Sequence, residues 1–187
     1  MAYVKWTFIL AFWLLVGGFL HYTLPQHDIA RITDTYGKRV DLGENALFWA
    51  SEDVGNAATV SRDVFFIQSV RTNDRVMVYR NEDTGWGWPP YFKLDTSNLQ
   101  AEAANLRSTS DNPKWVAVKH YGWRNEFISI FPNAVEIWEV DGPDARIIPW
   151  VNIVVLTTLA ALFWAVWARW RRFWNRREEA AKDEWAI

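Results

Sequence analysis

The chain has 187 residues, no cysteine and a formal net charge of −2. Without cysteine, a disulfide framework, a thiol nucleophile and a thiolate metal site are all excluded. Residues 25–146 carry 13 lysines and arginines against 18 aspartates and glutamates, so this part of the chain lacks the clustered positive charge on which nucleic-acid binding depends. We therefore expect no nucleic-acid partner.

An apolar run near the start, Val4–Leu24, is the first predicted element. A helix needs about 20 apolar residues to cross a bilayer core of about 30 Å, and residues 1–24 provide such a segment. A basic start and a short apolar core are also typical of a secretory signal peptide. However, the residues from Phe19 to Tyr22 are mostly bulky and aromatic, unlike the small residues of a cleavage site. We favour an uncleaved N-terminal transmembrane anchor.

Residues 25–146 are predicted to form one mainly antiparallel β domain with a single helix packed on it. A helix is expected over 95–106, because Asp95 offers an N-cap and apolar residues repeat at helical spacing from 99 to 106. A turn at 71–74 predicts a hairpin. Alternation and β-branched residues predict strands at Ile29–Thr33, Lys38–Leu42, Asp63–Val70, Arg75–Arg80, Trp115–Tyr121, Phe127–Phe131 and Ala134–Val140.

Two aromatic clusters lie between the predicted strands. The first is the tryptophan-proline loop, Asn81–Phe92, which glycine and proline bar from regular structure. The second is His120–Arg124. Rings of this kind either pack as a small core under a loop or bind a partner; we favour packing in the first cluster, because four exposed rings would lower solubility. If the chain has a partner-binding surface, its candidate residues are Trp86, Trp88, Pro89, Pro90, Tyr91, Phe92, His120, Tyr121, Trp123 and Arg124.

A second apolar run, residues 147–168, is also long enough to span a bilayer. It is followed by a short basic and amphipathic tail, residues 169–187, in which the helix is expected to continue. At 100° per residue, four tryptophans share one helix face, Trp164, Trp167, Trp170 and Trp174, and we expect them to contact lipid while arginines face headgroups. The predicted membrane-interface residues are Trp150, Trp164, Trp167, Trp170, Trp174, Arg169, Arg171 and Arg172.

The basic residues beside the two runs predict the orientation of the chain. Arginines next to a span stay on the cytoplasmic side, and the tail places several of them directly after the second run. Lys5 precedes the first run, and no basic residue follows that run until Arg31. We therefore expect two passes with both termini in the cytoplasm and the lipid bilayer as one partner, while residues 25–146 lie outside.

Motifs with a defined chemistry are absent from the sequence. It contains no Gly-x-Ser-x-Gly elbow, no phosphate-binding glycine-rich loop and no His-Glu-x-x-His. The three histidines, His21, His27 and His120, are expected to be interfacial or surface imidazoles, since a metal site would need further ligands. A haem between the two runs would need a ligand on each, and the second run has neither histidine nor methionine. We expect no enzyme activity, no metal and no cofactor.

The order of motifs along the chain carries a resemblance. Between the two apolar runs stand Leu24–Ile29, Asn81–Lys93, His120–Arg124 and Phe131–Val135. This order resembles a proteobacterial inner-membrane family known only as a domain of unknown function, over nearly the whole chain. The resemblance implies a bacterial inner membrane and a periplasmic middle domain, and it implies no activity, cofactor or catalytic residue.

These observations predict an α+β membrane protein in which two transmembrane helices flank a mainly antiparallel β periplasmic domain. Its expected function is protein interaction, as an accessory or assembly component that binds another inner-membrane protein or complex. A second possibility is a periplasmic sensor whose aromatic loop binds a small molecule or a sugar, although a tail of 169–187 is too short for an output domain. An unrecognised hydrolase is a third possibility.

Overall fold

A computed structural model describes residues 2–41 and 61–184 of the chain, and the side chains of residues 3–39 and 63–178. It divides into two compact units, Met1–Ile148 and Pro149–Ile187. The elements in chain order are α1 (Ala2–Thr23), β1 (Gln26–Asp41), β2 (Ser61–Arg71), β3 (Val76–Asn81), α2 (Thr96–Asn105), β4 (Val116–Tyr121), β5 (Asn133–Glu139) and α3 (Trp150–Glu184).

The five strands close into a barrel in the order β1-β2-β3-β5-β4. Strand β1 is long enough to pair with two neighbours, through Gln26–Ala30 with β4 and through Ala30–Asp41 with β2, both antiparallel. The closure between β3 and β5 is parallel and short, at Arg80 and Asn133, where the Arg80 amide also donates to the Pro132 carbonyl at 2.9 Å. The expected mainly antiparallel β domain with one helix is confirmed, and it is a barrel.

Helix α2 covers apolar residues of the barrel interior. Asp95 caps it, because the Asp95 carboxylate accepts from the Asn98 amide at 3.0 Å. Leu99 and Ala103 are buried on its inner face. The core that they join is built from alternate residues of the strands, as the two-residue period of a strand requires; it includes Ile32, Ile67, Met77, Tyr79, Val116, Val118 and Ile137.

The predicted strand break near Tyr36 and Gly37 was wrong. The chain runs through these residues as one strand, β1, whose pairing with β2 continues to Asp41. Gly37 forms no turn: it pairs with Phe65 in the β1–β2 ladder, and a side chain at position 37 would make only an ordinary contact with the Phe65 ring at 3.5 Å. The register shifts instead between Ile32 and Asp34, which is a β-bulge. Leu42 lies outside the described residues.

A second predicted strand, Phe127–Phe131, was also wrong. Residues 125–130 form a tight turn held by a bridge between Asn125 and Ile130. Ser129 has a φ of 50°, a left-handed conformation that ends a strand. The remaining predicted strands and the hairpin at 71–74 correspond to β2, β3, β4 and β5 within one or two residues.

Both apolar runs form helices with the length and composition that a membrane span needs. The qualifying segments are Tyr3–Thr23 (21 residues) and Trp150–Glu178 (29 residues). Helix α1 is exposed over most of its length, with Phe8, Leu10 and Leu15 each more than 60% accessible. The length, composition and exposure of the two helices are compatible with membrane spans.

Candidate functional site

The tryptophan-proline loop is closed at its base by backbone hydrogen bonds. The amides of Thr84 and Gly85 donate to the Lys93 carbonyl at 3.0 and 3.2 Å, and the Lys93 amide donates to the Thr84 hydroxyl at 3.1 Å. The loop is also tied to α2, because the Asp83 carboxylate accepts from the amide and hydroxyl of Thr96 at 2.9 and 2.6 Å. These bonds fix both ends of the loop on the barrel.

The Lys93 side chain passes from the loop into the barrel and is only 7% exposed. Its ammonium group donates to the side-chain oxygen of Asn81 and, at 2.7 Å, to the Ala134 carbonyl. Burial lowers the pKa of Lys93 to about 7, against the opposing charges of Asp83 and Glu82. Lys93 is therefore a structural group whose charge changes near neutral pH.

We expect the titration of Lys93 to make the domain more stable at alkaline pH. In the unfolded chain lysine binds its proton up to a pKa near 10.5, whereas in the folded domain it loses the proton near 7. Between these values the unfolded state binds more protons, so the free energy of unfolding should rise by about 2 kcal/mol from pH 7.5 to 9.5. Chemical denaturation of the wild type and of Lys93→Met at both pH values measures this change. An equal change in the free energy of unfolding in the two proteins would contradict the prediction.

The middle of the loop presents its rings to solvent. Trp86 is 81% exposed, Trp88 66% and Phe92 54%. The Trp86 and Phe92 rings contact edge to face with centroids 5.4 Å apart, and Phe92 adopts a φ of 50°. Such a backbone conformation costs free energy in a bulky residue. The loop therefore holds exposed rings in one fixed arrangement.

Helix α1 meets this loop at its last turns. The Trp88 ring stacks on the Phe19 ring at 5.7 Å, and the Tyr91 hydroxyl donates to the Thr23 carbonyl at 2.6 Å. Tyr91 also stacks on Tyr121 with centroids 4.7 Å apart. Burial raises the pKa of Tyr91 and of Tyr121, so both hydroxyls stay protonated; the Tyr121 hydroxyl accepts from the Asn133 side-chain amide at 3.2 Å. Tyr91 is thus a structural link between helix and barrel.

The second aromatic cluster, His120–Arg124, contacts the same end of α1. The Gly122 amide donates to the Tyr22 carbonyl at 2.9 Å, with Gly122 at a φ of 90° that favours glycine. The Trp123 indole donates to His21 Nδ1 at 2.8 Å, and its ring edge lies 3.9 Å from the position that a side chain at Gly18 would take. Both clusters therefore surround the end of α1.

The ten candidate partner-binding residues fall into three groups by burial. Four of these residues with aromatic rings and one proline are exposed to solvent, and the others are half-buried or buried. The exposed residues are Trp86, Trp88, Pro90, Phe92 and Trp123; the half-buried ones are Tyr91 and Arg124; the buried ones are Pro89, His120 and Tyr121.

His120 belongs to a polar cluster inside the barrel. One oxygen of the Asp28 carboxylate, Oδ2, accepts from Arg71 and from the Tyr79 hydroxyl at 2.6 Å each, and it lies 3.1 Å from Nε2 of His120. Burial raises the pKa of Asp28, but the hydrogen bonds from His120 and Tyr79 and the Arg71 charge outweigh it, so the pKa lies below its usual value. Tyr79 and His120 are almost inaccessible, so the cluster fits an internal structural role.

Metal-ligating groupings are not found in the described part of the chain, where no three His, Asp or Glu side chains are placed to hold one ion. A more informative feature escaped the sequence reasoning: Phe127 is 101% exposed and Ile128 43% exposed on the turn at 125–130. Their apolar run with Phe131 resembled a strand. Asn125 was the available signal, because a side chain of this type bonds backbone amides two residues ahead and favours a turn.

The predicted membrane-interface residues all lie along α3. Trp150 is its first residue. Trp170 and Trp174 contact with centroids 5.9 Å apart, and the Arg171 guanidinium lies 4.9 Å from the Trp167 ring. From Trp150 to Arg169 the helix rises about 29 Å. The remaining residues of this set, Trp164, Arg169 and Arg172, are exposed.

Comparisons with known proteins agree with the resemblance seen in the motifs. Residues 1–174 match the family model described as "Protein of unknown function (DUF1523)". The chain is similar to a protein of Haemophilus influenzae described as an uncharacterized protein, with 39% identity over 150 residues, which covers 79% of this chain and 80% of that protein. No solved structure matches the chain. The expected membership of an uncharacterised proteobacterial family is confirmed.

Proposed function

We propose that this chain, which belongs to the family described as Protein of unknown function (DUF1523), is a two-pass inner-membrane protein whose periplasmic barrel binds another membrane protein. It would serve as a non-enzymatic accessory or assembly component of a membrane complex. The observation that carries the proposal is the tryptophan-proline loop, whose exposed rings are held rigidly beside the last turns of α1.

The membrane assignment is supported by the lengths of the helices and by their flanking residues. The 21 residues of Tyr3–Thr23 rise about 31 Å, close to the thickness of a bilayer core. In α3, the separation of about 29 Å between Trp150 and Arg169 fits an aromatic ring at one interface and arginine at the other. The tail arginines favour a cytoplasmic C-terminus, which leaves the barrel in the periplasm.

The shape of the loop supports a protein partner at the membrane surface. Because Trp88 stacks on Phe19 of α1, the exposed rings continue the apolar surface of the helix. A partner that contacts both would therefore have its own segment in the bilayer. The loop is closed by Thr84 and Lys93, so little conformational entropy is lost on binding, which favours affinity. Tryptophan is also among the residues that dominate binding energy in interfaces.

The double variant Trp86→Ala/Trp88→Ala should lose the partner and keep the fold. Truncating a hot-spot aromatic costs about 2 kcal/mol or more of binding, roughly a thirtyfold loss of affinity. Both side chains are mostly exposed, so we expect the melting temperature to change by less than about 4 °C. Gentle detergent extraction with quantitative mass spectrometry of co-purified proteins, beside a thermal melt, measures both effects.

Trp138→Ala provides the matched control, because Trp138 lies on β5 beside His27, away from the loop. Its partner recovery should equal that of the wild type. A photo-crosslinking residue at position 86 should give a discrete protein adduct in cells, and the same residue at position 138 should not. Full partner recovery with the double variant would reject the loop as the binding site, and a large fall in its melting temperature would show that the rings are structural.

A further inference from the structure

The turn at Asn125–Ile130, here called the Phe127 hairpin, is closed by hydrogen bonds at its base. Its ends pair through the Asn125 amide and the Ile130 carbonyl at 3.1 Å, and through the reverse bond at 2.9 Å. The Arg124 guanidinium donates to the carbonyls of Asn125 and Ile130 at 2.9 and 3.0 Å, and it lies 4.4 Å from the Phe131 ring. The hairpin therefore has a single defined shape.

The tip of the Phe127 hairpin pairs three of its backbone amides internally, those of Phe127, Ile128 and Ser129. The side-chain oxygen of Asn125 accepts from the amides of Phe127 and Ile128 at 3.0 and 3.4 Å, and the Ser129 amide donates to the Glu126 carbonyl at 3.4 Å. Yet Phe127 is fully exposed. A tip with an outward phenylalanine and three internally bonded amides loses fewer hydrogen bonds to water when it enters the boundary between headgroups and acyl chains.

The position of the hairpin relates it to α1. Strand β4 is antiparallel to β1, and His120, near the end of β4, pairs with Gln26 at the start of β1. The chain therefore returns toward α1 as it leaves β4. Gly122 and Trp123 then bond to Tyr22 and His21. The hairpin starts two residues after Trp123, whose ring lies beside the last turns of the helix.

We propose that the Phe127 hairpin binds the lipid bilayer, with Phe127 inserted at the boundary between headgroups and acyl chains of the periplasmic leaflet. This proposal depends on one part of the proposed function, the assignment of α1 as a membrane span. Lipid is the favoured occupant because the hairpin adjoins the segment of α1 that leaves the bilayer, and aromatic rings favour that region. Together with α1, this second contact would fix the orientation of the barrel on the membrane.

The absence of cysteine from the chain allows a clean test by site-specific fluorescence. The full chain carrying Glu126→Cys is labelled with an environment-sensitive nitrobenzoxadiazole dye. It is then reconstituted alone into vesicles of phosphatidylcholine and phosphatidylglycerol that contain a spin-labelled lipid as quencher. We expect a blue-shifted emission and strong quenching. Adding Phe127→Asp should reduce the quenching to that of a site in water.

Two control positions make the outcome decisive. The first control is Thr109→Cys. Its neighbour Ser108 donates its amide to the Ile32 carbonyl at 3.0 Å, and Ile32 lies about 20 Å along β1 from Gln26. A label at position 109 should therefore stay unquenched. Leu14→Cys lies in the middle of α1 and should be quenched. Quenching at Leu14 but not at Glu126 would overturn the hairpin proposal and leave the membrane function standing. No quenching at Leu14 would overturn both. Because no other protein is present, quenching at Glu126 reports lipid and not a protein partner.

Discussion

A reporter enzyme that is active only in the periplasm should be active when it is fused at Thr109, and a reporter that is active only in the cytoplasm should be active when it follows Ile187. Thr109 is exposed in the segment after α2, so a fusion there is accessible. The physical reason is the cost of moving the tail arginines across the bilayer, at about 2.5–3.5 kcal/mol for each arginine at mid-bilayer on insertion scales. The expected signals are all-or-none.

The matched control exchanges the two reporters at the same positions. A cytoplasm-only reporter at Thr109 and a periplasm-only reporter after Ile187 should both be silent. The opposite pattern would reverse the orientation, and with it the periplasmic placement of the barrel. The same result would move the tryptophan-proline loop to the cytoplasmic face, where the proposed periplasmic partner could not reach it.

Replacing Asp28 by asparagine should destabilise the barrel by about 3 kcal/mol. The carboxylate oxygen accepts from Arg71 and Tyr79 and contacts His120, and removing one partner of a buried charged pair costs about 3–5 kcal/mol. The lower end applies because the Arg71 side chain is 30% exposed and can turn toward water. Chemical denaturation of the detergent-solubilised chain followed by tryptophan fluorescence measures the difference.

The effect of Asp28→Asn should also depend on pH with a defined sign. The pKa of Asp28 is lowered by folding from its usual value of 3.8. The stability that the carboxylate contributes is therefore present above pH 4 and is lost as the pH falls through the lower folded value. The difference between wild type and variant should shrink below about pH 4.

Asp34→Asn is the matched control for this prediction. Asp34 pairs with Arg107 at 3.2 Å, but both side chains are about half exposed. Exposed pairs of this kind contribute about 0–1 kcal/mol, so the control should melt close to the wild type. Equal losses in the two variants would show that the Asp28 cluster has no special role in the barrel.

The parts of the fold that depend on local signals could be predicted from the sequence. Helix α2 was predicted because its cap, Asp95, and its apolar spacing lie within a dozen residues. The hairpin between β2 and β3 was predicted because its turn lies between two alternating runs. In contrast, the continuity of β1 past Gly37 depends on its pairing with β2, and barrel closure depends on Arg80 meeting Asn133. Such long-range pairs leave no local pattern.

The same distinction applies to the candidate site. The sequence identified both aromatic clusters, but it could not separate their packed members from their exposed ones. That separation depends on the end of α1, since Thr23 binds Tyr91 and Tyr22 binds Gly122 across many tens of residues. Phe127 was assigned to a strand because its apolar neighbours resemble one. The chain turns there because the Asn125 side chain accepts from the Phe127 amide, a bond that depends on one side-chain conformation.

The attachment of α1 to the barrel has a mechanical consequence. The contacts at Thr23, Tyr22 and His21 join the helix to the domain at several points, so the helix and the domain are expected to move together. Spanning helices respond to bilayer thickness by tilting, on average about 20° from the membrane normal. Relative to an upright helix, a tilt of about 20° would displace the end of a rigid segment about 20 Å long, the length of Gln26–Ile32, by about 7 Å. With α1 in the membrane, as we propose, a change in bilayer thickness would thus displace the barrel.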